Sequence, residues 1–117
     1  MNIKDDIDKL AYDFEQCQKI LIALGDENRL HMILEMMKMG KCSGVRVNEI
    51  TEKTHLSRPA VSHHLQILKD AGILKMRREA TKNYYYFDRD MKSFGLLIEV
   101  LQRAVSITSE LPDSSQK

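Results

Sequence analysis

The chain contains 117 residues, of which 43% are hydrophobic and 30% charged, a balance typical of a single globular domain. Its longest unbroken apolar run, Ile20 to Leu24, is far shorter than the ~20 residues of a membrane-spanning helix. The amino-terminal residues lack the apolar stretch of a signal peptide, and two cysteines are too few for a disulfide framework. We therefore expect one cytoplasmic domain over residues 1–111, with a disordered polar tail at 112–117.

The net charge of +1 hides an uneven distribution of charge along the chain. Residues 1–27 carry three basic and seven acidic side chains, whereas residues 53–82 carry seven basic and only two acidic ones. A basic segment in an otherwise acidic chain is typical of a surface that binds nucleic acid, but a solvated lysine-rich face has the same composition. Charge alone leaves both interpretations open.

Two helices are predicted before residue 40. Apolar residues recur at spacings of four and three between residues 3 and 24, which is the pattern of a helix with a coiled-coil-like seam. Gly25 ends this helix, and Asp26 is placed to cap the next one, which runs from Glu27 to Met39. The predicted inner face of the second helix consists of Leu30, Ile33, Leu34 and Met37.

The next segment has the pattern of a helix–turn–helix. A turn at residues 53–56 joins a short helix containing Val47 and Ile50 to a second helix, which Ser57 is placed to cap. His55 in the turn is explained by its tolerance of a left-handed backbone. The second helix ends at Gly72, and its apolar side consists of Val61, Leu65 and Leu68.

Two strands and a final helix complete the predicted fold. Residues 73–78 and 83–87 are strand-like runs joined by residues 79–82, which predicts a β-hairpin with a basic tip. The last helix, Arg89 to Glu110, has two apolar stripes: Phe94, Leu97, Ile98, Leu101, Ala104 and Val105 form one, and Leu96, Val100 and Ile107 form the other. A chain of this size has one core, so the second stripe indicates a partner. The predicted fold is a mainly α winged helix–turn–helix, in the order α-α-α-α-β-β-α, which dimerises through its terminal helices.

Three segments of the sequence resemble the ArsR/SmtB family of bacterial regulators. They are Leu-Gly-Asp-Glu-Asn-Arg-Leu at 24–30, the run at 56–74 that contains Ser-His-His-Leu, and Arg77-Arg78 followed by three tyrosines at 84–86. The resemblance implies a homodimeric transcriptional repressor that leaves its DNA when a signal binds. It also implies an inverted-repeat operator that is bound through the helix 57–71 and the wing 74–87.

The metal sites of that family are not carried over to this chain. Where the family has a Cys-Val-Cys thiolate motif, this sequence has Arg46-Val47-Asn48, and the ligand histidines of the carboxyl-terminal helix are missing because no histidine follows His64. Zinc and arsenite need convergent thiolate or imidazole ligands. We therefore expect no metal at either site and no cofactor, and the sequence does not identify an inducer.

The predicted DNA contacts lie on the second helix of the helix–turn–helix and on the wing. At 100° per residue, the side opposite Val61, Leu65 and Leu68 carries polar residues that can read base edges, and the wing cations can bind phosphates. His64 lies at the flank, where it is either packed or in contact with a phosphate. The full predicted set is Ser57, Arg58, Pro59, Ser62, His63, His64, Gln66, Lys69, Arg77, Arg78 and Lys82.

Other functions remain as alternatives. Cys17 and Cys42 are the candidates for a thiol sensor. Cys17 is better explained as a small hydrophobic residue in the seam of the first helix, whereas Lys41 beside Cys42 favours a reactive thiolate. A winged helix of the MarR or PadR type, or a protein-interaction module that does not bind DNA, would share the same pattern. An enzyme is not expected, because the sequence has no Gly-rich phosphate loop and no nucleophile elbow.

Overall fold

Six helices and one two-stranded sheet form the architecture of residues 2–112, the part of the chain that the computed structural model describes. The elements are α1 (Ile3–Gln16), α2 (Gln18–Leu24), α3 (Glu27–Met39), α4 (Val47–Thr54), α5 (Arg58–Asp70), β1 (Leu74–Glu79), β2 (Lys82–Phe87) and α6 (Lys92–Ser109). The predicted winged helix–turn–helix is confirmed, with one helix more than predicted before the hairpin. Residues 113–117 of the predicted tail lie outside the described part.

The extra helix arises because the first predicted helix is broken at Cys17. The backbone of Cys17 has φ −95° and ψ 2°, and its N–H donates to the carbonyl of Phe14 at 3.0 Å, one residue short of a regular helical bond. No residue of α1 is buried, whereas Ile20 and Ala23 of α2 lie in the core. The break thus separates a core helix from an amino-terminal arm.

The carboxyl-terminal helix α6 packs beside α1, and these two helices together form the arm. The Arg103 guanidinium pairs with the Asp13 carboxylate, and Leu96 lies with Cys17 around one small cavity, so α6 runs antiparallel to α1. The molecule is elongated, with a longest dimension of 60 Å against 28 and 22 Å in the other two directions.

The predicted inner face of α3 is wrong. Of its four residues only Ile33 is buried, whereas Leu30, Leu34 and Met37 are 43%, 57% and 51% exposed. The helix instead buries Arg29, Met32, Ile33 and Met36. Apolar residues occupy more than one side of α3, so periodicity alone could not identify the side that packs on its neighbours.

Neither predicted stripe of α6 is buried as a unit. The helix begins at Lys92 instead of Arg89, and it buries Leu97 and Val100, one residue from each predicted stripe. Half of the stripe assigned to the core faces outward, with Ile98, Leu101 and Val105 being 55%, 47% and 72% exposed. The boundary between the two stripes is therefore the side that packs on α1 and α2.

The predicted caps and turns that orient α5 are confirmed. The Ser57 hydroxyl oxygen accepts from the N–H of Ala60 at 3.2 Å, and His55 has the left-handed backbone expected for the turn, with φ 60°. At the other end, Gly72 has φ 80° and the N–H of Ile73 donates to the carbonyl of Leu68 at 3.0 Å, which is a Schellman closure.

The hairpin forms in the predicted place and extends one residue closer to its tip. β1 and β2 pair antiparallel from Leu74↔Phe87 to Glu79↔Lys82, so only Ala80 and Thr81 form the turn. Val45 adds a short bridge to the outer side of β2, where its N–H and carbonyl both bond Tyr85 at 2.8 Å. This bridge ties the loop before the helix–turn–helix to the wing.

Candidate nucleic-acid interface

The orientation of α5 is set by three fully buried side chains. Val61, Leu65 and Leu68 are each 0% exposed and fix one side of the helix against the core. The opposite side is therefore left in solvent, as the sequence predicted. The exposed predicted contacts are Ser57, Arg58, Pro59, Ser62, His63, Gln66 and Lys69.

Two of these exposed side chains are engaged within the chain. The Gln66 side-chain amide donates to the Asp70 carboxylate at 2.9 Å, and the Arg58 guanidinium donates to the side-chain oxygen of Asn48 on α4. Both bonds are at the surface, where water competes with them, so each can be exchanged for a bond to a base or a phosphate at modest cost. The Arg58–Asn48 bond also holds the first helix of the helix–turn–helix against the second.

Neighbouring groups engage two of the three predicted wing cations, Arg77 and Arg78. Nε of Arg77 donates to Glu79 at 3.0 Å, while its guanidinium carbon lies 4.9 Å from the centre of the Tyr84 ring. Nε of Arg78 donates to the Ala80 carbonyl at 3.2 Å, and Lys82 is exposed at the tip. Stacking and the turn therefore hold the two arginines in place. Lys82 differs from them because it is an exposed ammonium on a flexible stem.

His64 is the one predicted contact that does not lie on this surface. It is only 9% exposed, and its Nδ1 lies 3.2 Å from Nη1 of Arg29. Burial lowers the pKa of His64, and the nearby Arg29 and His63 lower it further, whereas Asp26 opposes the shift. The packed interpretation of this histidine is thus correct for the isolated chain.

Arg29 itself was missed by the sequence analysis, which used it only as part of a resemblance. Residues 29, 32, 33 and 36 recur at helical spacing, but only the structure shows that this side of α3 is the buried one. An arginine in such a series has to find hydrogen-bond acceptors, which predicts a buried polar contact.

The two cysteines are free thiols in different surroundings. Cys17 is 1% exposed, and its pKa is raised by burial and by the Asp13 carboxylate, against the lowering effect of Arg103. Cys42 is exposed and lines a cleft of about 770 Å³ between the end of α3 and the base of the hairpin. Burial and a raised pKa both make Cys17 the less reactive thiol.

Residues 2–112 provide neither a metal-binding cluster nor a membrane-spanning helix. No three His, Cys, Asp or Glu side chains of this range are grouped so that they could hold a metal ion. No helix in the same range combines the length and the apolar character that crossing a membrane requires.

Comparisons with known proteins agree with this architecture. The profile of the family described as bacterial regulatory protein, arsR family, matches residues 26–75, from the start of α3 into β1. An uncharacterised HTH-type transcriptional regulator of Methanocaldococcus jannaschii is 40% identical over 89 residues, which are 75% of this chain and 97% of that protein. The arsenical resistance operon repressor of Bacillus subtilis is 34% identical over 79 residues, covering 68% of this chain and 71% of the repressor.

Among solved structures, a homodimeric winged helix–turn–helix DNA-binding domain from Mycobacterium bovis has a TM-score of 0.60 and 25% identity. The likeness covers 79% of this chain and 82% of that one. The family match spans α3, α4, α5 and the first two residues of β1, and it is to the ArsR family, so the MarR and PadR alternatives are set aside. The chain belongs to the ArsR family of helix–turn–helix transcriptional regulators.

Proposed function

We propose that this regulator is a homodimeric repressor that binds an inverted-repeat operator through residues 57–71 and the wing 74–87. The observation that carries the proposal is the exposed side of α5, which is polar and cationic along its length while its other side is buried. A helix of this kind fits the major groove, where polar side chains read base edges. Repression is the role named for the Bacillus subtilis relative, and DNA binding and dimerisation are named for the Mycobacterium bovis domain.

The division of roles follows from the chemistry of the side chains. Ser62, His63 and Gln66 carry the donors and acceptors that distinguish base pairs, so they supply sequence preference. Arg58, Lys69 and the wing residues Arg77, Arg78 and Lys82 bind phosphates, which supplies affinity and salt dependence. Ser57 and Pro59 contribute the shape of the helix start. His64 is buried beneath this surface and contributes by packing.

The dimer is proposed on the exposed apolar surface of the arm. Ile98, Leu101 and Val105 face solvent on α6, beside α1, which buries no residue of its own. Contiguous apolar surface of this kind is characteristic of an interface. A two-fold dimer presents two recognition helices, which requires half-sites about one helical turn apart, roughly 10 base pairs.

In this role the protein acts in the cytoplasm, where it binds chromosomal DNA. The role needs no enzymatic activity, metal or cofactor. A winged helix that acts only as a protein-interaction module is the competing function, and DNA binding separates the two. The test is selection of bound duplexes from a random-sequence library, followed by gel shift in 150 mM salt, a physiological ionic strength.

We expect selection to converge on an inverted repeat that binds at least ~1000-fold more tightly than unrelated DNA. Failure to converge, together with unmeasurable binding of any duplex at low salt, would contradict the proposal. Binding of a partner protein through α5 without DNA binding would support the interaction module.

A further inference from the structure

The buried guanidinium of Arg29 joins three helices. Its Nε donates to the Ala23 carbonyl at 2.8 Å and its Nη2 donates to the Ile22 carbonyl at 3.0 Å, so it closes the end of α2. Its Nη1 meets Nδ1 of His64 on α5 at 3.2 Å, and the Asp26 carboxylate that caps α3 lies 3.8 Å away. The side chain of Arg29 is 9% exposed, so little water competes for these bonds.

The chemistry of this contact fixes the proton on His64. A guanidinium only donates hydrogen bonds and stays protonated in proteins, so Nδ1 of His64 has to be the acceptor. The imidazole is therefore neutral and carries its proton on Nε2. The charged or titratable groups around it are Asp26, Arg29 and His63, and a second proton on His64 would remove the acceptor and place two cations together.

The contact connects the arm with the proposed DNA surface. α2 is the core helix that follows α1 directly after Cys17, and α5 carries the exposed residues, of which His63 directly precedes His64. Because Arg29 is bonded to backbone at the end of α2 and to a side chain of α5, it restrains the angle between them. A small rotation of α5 moves every exposed contact at once.

We propose that Arg29 is a positioning residue for DNA binding, which holds α5 at its working angle by donating to Nδ1 of a neutral His64. The inference rests on the proposed DNA-binding function. Arg29 itself touches no DNA in this proposal, and its effect passes through the acceptor on His64.

A spectroscopic test is independent of DNA. In the intact protein, ¹⁵N chemical shifts of the imidazole report which nitrogen carries the proton. We expect His64 in the Nε2–H form at neutral pH, titrating below the ordinary pKa of histidine, and we expect Arg29→Gln to raise that pKa. The exposed His31 is the internal control, and its imidazole ¹⁵N chemical shifts should be the same in the two proteins. A proton on Nδ1 of His64 in the wild type would overturn the proposal.

The functional test uses a duplex that carries the selected operator and five variants of the whole protein, one of which is a histidine control. His64→Leu removes the acceptor, whereas the side-chain oxygen of His64→Asn can replace Nδ1 at the same reach. We expect Arg29→Gln and His64→Leu each to weaken binding about tenfold, the double variant to be no weaker than either, and His64→Asn to stay within about twofold of wild type. The histidine control His31→Leu should bind as wild type.

The outcomes separate this inference from the function on which it rests. Loss of all DNA binding by the wild type refutes the proposed function, whatever the imidazole spectrum shows. Equal binding by wild type, Arg29→Gln and His64→Leu refutes only the positioning role. If Arg29→Gln does not fold, the comparison of His64→Leu with His64→Asn decides: equal binding by those two also refutes the positioning role.

Discussion

Gly72 is the residue at which the recognition helix turns into the wing. Its φ of 80° is strained for any side chain, and a Cβ there would lie 2.7 Å from the hydroxyl oxygen of Ser93. That hydroxyl donates to the Ala71 carbonyl at 2.8 Å, so a substitution would disturb the cap as well as the backbone. We expect Gly72→Ala to lower the free energy of unfolding by about 1–3 kcal/mol, as measured by urea denaturation.

Gly95 provides the matched control for this prediction. It lies inside α6, and a Cβ added there would meet nothing within 4 Å. Because alanine favours a helix interior over glycine, Gly95→Ala should raise the free energy of unfolding by about 0.5–1 kcal/mol. Equal effects of the two substitutions would show that the backbone at Gly72 is not strained.

The missing metal motifs and the two cysteines lead to a prediction about which agents release the DNA. Because neither family metal motif is present, we expect that zinc and arsenite do not release the operator DNA. The same titration is repeated with a mild oxidant, and gel shift measures the release of the DNA in all three cases. Release by zinc or by arsenite would contradict the prediction, and release by oxidant that persists in the Cys17→Ser, Cys42→Ser double variant would exclude both thiols as the sensor.

At the scale of the element, α5 and the wing should respond differently to substitution. Lys82→Ala removes one exposed phosphate-binding cation, so it should weaken binding to all duplexes alike and reduce the slope of log affinity against log salt by about one unit. Gln66→Ala should change preference among operator variants by about 1–3 kcal/mol, with little change of slope. Titrations of two operators at several salt concentrations measure both effects.

A Gln66→Ala protein with unaltered affinity and preference would show that the exposed side of α5 is not the reading surface. Lys38 on α3 is exposed, pairs with Glu35 at 3.3 Å, and lies outside the proposed surface. Lys38→Ala is therefore the matched control for Lys82→Ala, and its salt slope should stay at the wild-type value.

Elements were easier to predict from the sequence than their packing. Asp26, Ser57 and Gly72 mark helix ends through local hydrogen bonds and backbone preferences, which depend on a few neighbouring residues. The buried sides of α3 and α6 depend on which neighbours arrive from elsewhere in the chain, and both helices have apolar residues on more than one side. The Arg29–His64 contact joins residues 35 positions apart, so no local pattern specifies it.

At the scale of the molecule, the arm formed by α1 and α6 has more apolar surface than one chain covers. The outward side of α6 is apolar at Ile98, Leu101 and Val105, and Ile7 on α1 is 42% exposed. The sequence predicted that α6 needs a partner at the stripe of Leu96, Val100 and Ile107, of which Leu96 is 36% exposed and Val100 is buried. Since Val100 is fully buried within the chain, the partner has to be sought at Leu101 and its neighbours.

A single charge at that position should separate the dimer. We expect Leu101→Glu to sediment near the chain mass of 13.6 kDa at micromolar concentration, while the wild type sediments near twice that mass. Ser106→Glu places the same charge on the polar side of the same helix and should remain a dimer. A buried carboxylate without a partner costs several kcal/mol across a two-fold interface, where it occurs twice. Because the operator proposed above spans two half-sites, Leu101→Glu should also lose most of its affinity for the full site while binding a single half-site as the wild type does. A Leu101→Glu protein that remains a dimer would move the interface to another face of the arm.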